Sequence, residues 1–367
     1  MRVAIDARAL LGPQTGIAMY TRGIARALAA RTGVTVGLFA PRPIADPPSA
    51  VGLSVHLGPD LPGLVWTQIA FAGRAASWRD DVLLAALTIA PQAARPPAVS
   101  VVHDLTPVTH PEWHAARTLM GFLPFWDGTA ERAARFVCVS EATARELARL
   151  YPGTRGRTRV APNGVDPGFS PGGDEAGREA TRQLFAAGRP FVLYLGTLEP
   201  RKNVAALVEA CERLWHENPA RPDLVLAGGV GWKAAPLLDR IERSPRRDRI
   251  HLVGFAPQET ARALYRAAEA FVYPSFVEGF GLPLAEAMAC GTPCVASTAE
   301  ALVEVGGDAA LYAPAGDIEA LSRAIAAALE EPETRRRLSA AGPQRAARFT
   351  WEAAAAATSA ALEEAAS

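Results

Sequence analysis

Residues 271–297 read FVYPSFVEGFGLPLAEAMACGTPCVAS. An apolar run, 271–273, stops at Pro274 and Ser275, and the loop that follows carries Glu278, Gly279 and Gly281. Pro283 suits the first residue of a short helix, because its fixed φ matches the helix and its missing N–H is one that a helix start leaves unpaired anyway. Gly291 and Pro293 end that helix after about two turns, and 294–296 read as the next strand. Strand, glycine loop, helix and strand in succession form the unit of an α/β fold with a parallel sheet.

A helix start of this kind presents unpaired main-chain N–H groups and a partial positive charge, so it is ready to take an anion, and Gly279 and Gly281 let a phosphate come close to the backbone. Glu278 and Glu286 flank that place. Two carboxylates beside an anion repel it unless each has a separate role. One at the loop tip can face a sugar, and one on the helix can accept hydrogen bonds from a ribose. Spacing alone leaves another reading open, in which Glu286 complements the helix dipole and Glu278 is solvated. The residues also carry a more specific pattern. Glu278, seven intervening residues and Glu286, with Gly-Phe-Gly-Leu-Pro between them, resemble the signature of retaining glycosyltransferase family 4, whose members have the two-domain GT-B fold. That resemblance implies a sugar contact for Glu278, a ribose contact for Glu286, diphosphate contacts for the amides of Gly281 and Leu282, and a place beside the donor for Phe280.

The whole chain fits two domains. Its 367 residues are enough for two cores of ordinary size. Basic and acidic residues cancel, 38 against 38, so no global field draws the chain to nucleic acid. Cys138, Cys211, Cys290 and Cys294 sit among apolar neighbours, in neither a zinc nor a disulfide pattern. The opening MRVAIDA places an Asp where a secretory signal needs a long apolar core, and apolar stretches such as 82–90 are too short to span a bilayer. A reduced, cytoplasmic, soluble protein is expected.

Working outward to the start of the chain, 2–7 read as a buried strand, followed by a loop with Gly12, Thr15 and Gly16 and a helix over 17–30. The G-x-G-x-x-G spacing of a dinucleotide site is absent, so a nicotinamide cofactor is not indicated. The loop resembles the family's first glycine loop, which implies that backbone near Gly16 meets the donor diphosphate; an ordinary tight turn is the alternative. Strands follow at 34–40, 51–57, 82–85, 98–102, 136–140 and 158–161, alternating with helices, which means a parallel sheet covered on both faces. His103 stands at the carboxyl end of the strand 99–102, where ligands of such sheets collect. A lone His there can be a plain loop residue, but VVHDLTPVTHPEW resembles the family's acceptor-domain motif, which implies that His103 faces the donor sugar. Residues 111–135 are helical and rich in aromatics, with interruptions expected at Gly121 and Pro124; they suit a groove, a lid or the core. Residues 61–78 and 113–126 form two apolar segments margined by Arg74, Arg79, Arg117 and Arg132, which could dock on the inner membrane face.

Residues 167–173, PGFSPGG, read as the linker. The first domain is then 1–166, completed by a helix over 350–367 that the GT-B resemblance carries back to it, and the second is 174–349. In the second, the strand 191–195 leads into Gly196-Thr-Leu-Glu-Pro-Arg-Lys-Asn203, where Asn203 can cap the next helix and two adjacent cations, Arg201 and Lys202, are placed to meet phosphates. This resembles the family's diphosphate clamp, with Thr197 standing where many members carry Arg. Strands at 224–227 and 250–253 complete the crevice, and a nucleotide base is expected against the backbone of Val253, Gly254 and Phe255.

The fold expected is therefore α/β, two Rossmann-like domains facing across a cleft. The function expected is retaining transfer of a sugar from a nucleotide-diphosphate donor to a glycan or lipid-linked acceptor hydroxyl, with Glu278 and His103 at the reacting sugar. No D-x-D motif accompanies the constellation, so neither a divalent ion nor another cofactor is expected. The runs I5-D-A-R, T15-G-I and G196-T-L-E-P-R-K-N most resemble mannosyltransferases that use GDP-mannose for surface polysaccharides. A sugar-nucleotide epimerase of the same fold and a non-catalytic sugar-nucleotide binding protein are the alternatives.

Overall fold

The structure, a computed structural model, describes residues 1–12 and 14–367. It divides into two compact units, one of residues 1–164 and 349–367 and the other of 165–348.

The first unit holds a parallel sheet in the order β3-β2-β1-β4-β5-β6-β7. Its strands are β1 Arg2–Asp6, β2 Thr35–Ala40, β3 Leu53–Leu57, β4 Val82–Ala85, β5 Ala98–Val102, β6 Arg135–Cys138 and β7 Thr158–Val160. The central strands β4 and β5 are buried along their whole length, as near-continuous apolar runs must be when helices cover both faces. Strand order reverses between β1 and β4, which opens a crevice at their carboxyl ends. The last helix, Trp351–Ala366, belongs to this unit and lies against β4 to β7 and the helix Gly16–Ala29. Two glycines admit its Trp351: a Cβ at Gly23 or at Gly164 would run into the indole. Glu364, near its end, pairs with Arg135 at 3.0 Å and with Arg159.

Three local expectations for this unit change. Gly16 opens its helix rather than preceding it, with Thr15 as the cap accepting from the Ala18 amide. The helix Ala116–Arg132 runs unbroken through Gly121 and Pro124. A proline inside a helix costs about 3 kcal/mol, and burial of Trp126 and Ala130, with Phe122 and Phe125 packed on the same cluster, outweighs it. Residues 63–78 form one helical stretch whose middle, Trp66–Phe71, takes the wider π spacing and turns Trp66, Thr67 and Phe71 inward. The aromatic bulk of both segments is thus mainly core, while Ile69 and Met120 stay outside at 67% and 68% exposure. Among the described residues no helix is long and apolar enough to cross a membrane.

The second unit holds a parallel sheet in the order β10-β9-β8-β11-β12-β13. Its strands are β8 Phe191–Leu195, β9 Asp223–Ala227, β10 Ile250–Gly254, β11 Ala270–Tyr273, β12 Cys294–Ser297 and β13 Ala310–Ala313. Strand β13 and the short helix Glu300–Gly306 are additions to the sequence reading. Here the order reverses between β8 and β11, so the loop after β8, with Gly196 to Asn203, and the loop after β11, with Ser275 to Gly281, flank the switch point. The helix that follows is Leu282–Ala289, capped by Gly281, with Pro283 its second residue and Gly291 in the left-handed region beyond its end.

Candidate active site

Each of the two loops at the second switch point is held by its backbone before any functional side chain is placed. The carboxyl ends of β8, β9 and β10 are stacked through glycine. Gly228 donates its N–H to Gly254 O at 2.6 Å, and it lies so close to the Gly196 carbonyl that a Cβ there would overlap it. After Gly196 the chain makes a short 3-10 turn, Pro200–Lys202, and enters the left-handed region at Asn203, φ 54°. Asn203 does not cap the helix Val204–Glu217 through its side chain, as the sequence suggests. Its left-handed backbone turns the amide away, and Nδ2 donates instead to the carbonyls of Pro274 at 3.2 Å and Ala315 at 2.6 Å. A second tie, Phe276 N–H to Arg201 O at 2.9 Å, closes one loop onto the other.

These ties deliver Arg201, Lys202 and Glu278 into contact. Lys202 Nζ donates to Glu278 Oε1 at 2.6 Å and to the hydroxyl of Tyr273 at 2.8 Å. Arg201 Nη1 donates to Glu278 Oε2 at 3.1 Å and to the Val277 carbonyl at 2.9 Å, while Nη2 lies 3.0 Å from Glu199. All four charged side chains are largely shielded, with exposures between 2% and 13%. Burial pushes the Glu278 carboxyl up, but the charges of Lys202 and Arg201 and the hydrogen bond from Lys202 outweigh it and hold the group down at about 2. Glu278 is therefore a carboxylate at every ordinary pH. Burial and then the neighbouring Arg201 lower Lys202 from its usual value, with Glu278 and Glu199 opposing the shift.

The start of the helix Leu282–Ala289 lies a few residues along the same loop. Gly281 is left-handed, φ 98°, and Leu302 fills the space where a Cβ would stand, so only glycine fits. The Gly281 carbonyl accepts from Leu284 and Ala285, Pro283 has no N–H, and helix geometry leaves the amides of Gly281 and Leu282 as the free donors. Phe280 is buried beside them. Val253 and Gly254 end β10, and Phe255 follows at 49% exposure. Glu286 is set apart from the cation cluster. It accepts from the Tyr265 hydroxyl at 3.2 Å, and burial pushes its carboxyl up to about 8, moderated by that bond and by Arg262 and reinforced by Asp166.

This raised value has a consequence for stability. Below pH 4.5, its ordinary value, Glu286 is protonated folded or unfolded, so the full stability is present; it drains away as pH rises through about 8, because the unfolded chain ionises first. Glu286→Gln should remove that alkaline loss, widening its stability advantage over the natural protein by on the order of 2 kcal/mol across this range, since Glu286 keeps some solvent contact. Thermal melts of both proteins at several pH values check this, and a constant difference would refute it.

In the first unit, His103 follows β5. Its Nε2 lies 2.8 Å from the Ala86 carbonyl, an atom that can only accept, so Nε2 carries the hydrogen and Nδ1 is left as an acceptor. The ring meets Tyr20 edge-on at 4.9 Å, and burial lowers its pKa, which keeps it neutral. Gly16 opens its helix with open space where a Cβ would be, so the protein's own packing does not demand glycine there. Among the described residues no cluster of three or more His, Cys, Asp or Glu could hold a metal ion, and all four cysteines are buried and free.

Several residues at these sites escape the sequence reading. Tyr273 reads as one more core residue of a buried strand, and Tyr265 as one more apolar position of a helix. Glu199 did carry a signal, standing two residues before Arg201 in TLEPRKN.

Two family descriptions match the chain: Glycosyl transferases group 1 over residues 178–345 and Glycosyltransferase Family 4 over residues 14–169. The chain is similar to O-antigen chain mannosyltransferase B of Escherichia coli, 34% identical over 255 residues, covering 70% of this chain and 67% of that protein. It is 30% identical over 260 residues to serotype-specific mannosyltransferase WbdA of E. coli, covering 69% of this chain but spanning about a third, 32%, of that longer protein. A D-inositol 3-phosphate glycosyltransferase of Jonesia denitrificans is 28% identical, covering 93% of this chain and 89% of that one. Among solved structures, sucrose-phosphate synthase from Thermosynechococcus elongatus shares the fold, with a TM-score of 0.78 at 23% identity over 98% of each chain.

Proposed function

From the premise that this chain belongs to the family 4 glycosyltransferases, its second unit carrying the group 1 domain, we propose that it transfers mannose from GDP-mannose to a hydroxyl of a growing surface glycan, with retention at the anomeric carbon. The observation that carries the reading is the buried contact of Lys202 with Glu278 at 2.6 Å, with Arg201 alongside, at the carboxyl ends of adjacent β8 and β11. Without a donor, the two cations are balanced by Glu278 and Glu199. A diphosphate at the Gly281 and Leu282 amides gives those cations a new partner and leaves Glu278 to accept from sugar hydroxyls.

In the reaction, the acceptor oxygen bonds to the anomeric carbon, the bond from that carbon to the diphosphate oxygen breaks, and the acceptor proton leaves with the diphosphate. What the protein must supply is stabilisation of the charge growing on the leaving group, which Lys202, Arg201 and the helix amides provide as fixed dipoles and charges. Glu278 enters the reaction ionised, as an acceptor and not as a proton donor. Neutral His103 offers Nδ1 to a sugar hydroxyl, and Glu286 takes the ribose, where two hydroxyl donors favour its ionised form. Val253, Gly254 and Phe255 supply backbone for the base. The names of the relatives point to two acceptor classes, an O-antigen chain and a phosphorylated polyol, inositol 3-phosphate.

The test is a transfer assay with GDP-mannose and a mannose-terminated oligosaccharide, read by proton NMR of the product. An α-linked product from the α-linked donor is expected, and the rate should survive excess chelator because the two cations take the part of a metal ion. A β-linked product would contradict retention. Release of free or epimerised sugar without transfer would favour an epimerase, and activity abolished by chelator and restored by magnesium or manganese would contradict the charge argument.

A further inference from the structure

The first unit contains a cavity of about 540 Å³ at the carboxyl ends of β1, β2 and β3, and no functional residue assigned above lines it. Its volume lies within the range of small-molecule sites, about 300 to 1,000 Å³. Its wall alternates two kinds of surface. Leu11, Leu61, Pro41 and Pro62 give aliphatic faces, while Arg8, Arg42 and Asp60 give polar ones.

Arg8 is a built element of that wall. Behind it, Asp6 at the end of β1 is only 2% exposed and accepts from Trp66 Nε1 at 3.2 Å and Thr67 Oγ1 at 3.1 Å. The same carboxylate takes Arg8 Nε at 3.0 Å on both oxygens and lies 2.9 Å from Nη2. Arg8 Nη1 donates to the Gly63 carbonyl and Nη2 to Thr67 Oγ1. The guanidinium plane is thereby locked, and of its five N–H groups the second on Nη1 is available to a ligand. The π segment Trp66–Phe71 is what turns Trp66 and Thr67 together onto Asp6.

Charge decides the class of ligand. Arg8 and Arg42 are matched by Asp6 behind the wall and Asp60 in it, two cations against two carboxylates. A phosphate group would meet the Asp60 carboxylate, with Arg8 already committed to Asp6. A neutral sugar suits the same wall: vicinal hydroxyls both donate and accept, so they can take guanidinium N–H groups and give to Asp60, while the C–H face of the ring packs on leucine and proline. We propose that this cavity binds a sugar unit of a neutral glycan acceptor, and that it selects against phosphorylated polyols. The inference rests on the transferase reading above and names the acceptor class for it.

The experiment is ligand-observed saturation-transfer NMR and calorimetry on the full chain, with saturating GDP, using mannotriose and inositol 3-phosphate as probes. Arg42→Ala and Asp60→Ala, both at exposed rim positions, are the variants, since a change at half-buried Arg8, which pairs with buried Asp6, would disturb folding. Mannotriose is expected to bind, to weaken at least about tenfold in either variant, and to outcompete inositol 3-phosphate, with GDP affinity unchanged. Tighter binding of inositol 3-phosphate, no mannotriose binding, or mannotriose binding indifferent to both variants would overturn the proposal. Failure of GDP to bind the natural protein would instead strike the transferase reading, while the mannotriose result would still decide this one.

Discussion

Replacing Lys202 with alanine should lower kcat/KM for the donor by about 2 to 5 kcal/mol, roughly 30-fold to several thousandfold, because it leaves diphosphate charge unpaired in a shielded site. Lys202 Nζ is the shortest link in the cluster, at 2.6 Å from Glu278 and 2.8 Å from Tyr273, and its side chain is 9% exposed, so water cannot readily replace it. The same substitution leaves Glu278 with Arg201 as its remaining ion partner, and a thermal melt should show a lower Tm. The melt separates a folded but disabled variant from an unfolded one. Steady-state kinetics with near-natural donor parameters in a folded Lys202→Ala protein would remove Lys202 from the clamp.

The second large effect is expected at Glu278. The change to glutamine keeps shape and one acceptor oxygen but removes the charge, and kcat should fall by roughly 100- to 1,000-fold, the scale of losing one well-placed electrostatic contact to the reacting group. The donor KM should stay level or fall. In the free protein Glu278 holds Arg201 and Lys202, so on the proposed reading it competes with an incoming diphosphate, and the neutral amide frees them. That split distinguishes a sugar-facing role from a structural one, since mere loosening of the loop would raise KM as kcat fell. A raised KM with unchanged kcat would place Glu278 in donor binding instead.

Much of the candidate site in the second unit is legible in the sequence because glycine and proline punctuate it. Pro274, Gly281, Pro283, Gly291 and Pro293 each mark a turn or helix end that the chain respects, and Gly281 is needed both for its φ of 98° and for the space that Leu302 takes. The contact of Lys202 with Glu278 spans 76 residues, and no periodicity reports such a distance; only the family pattern set the two beside one site. The same limit hid Tyr273 and Tyr265, whose rings look like core until the hydroxyl partners are known. Asn203 failed for a local reason. Asparagine is a good cap, but it also tolerates the left-handed region, and there its amide turned to Pro274 and Ala315. Pro124 failed for a tertiary one, since packing of Trp126 overrode the penalty that the residue carries by itself. The locked Arg8 was least visible, because it depends on a π segment that sequence spacing does not distinguish from an α-helix.

The diphosphate is the anchor of the whole account, and the most direct measurement is calorimetric titration of GDP against GMP, with UDP and UMP in parallel, into the natural protein and Lys202→Ala. The two cations and the Gly281 and Leu282 amides predict that at least one nucleoside diphosphate binds at one site at least about tenfold more tightly than its monophosphate, and that Lys202→Ala erases most of that difference. Equal affinity for diphosphate and monophosphate, or a difference that survives loss of Lys202, would contradict it.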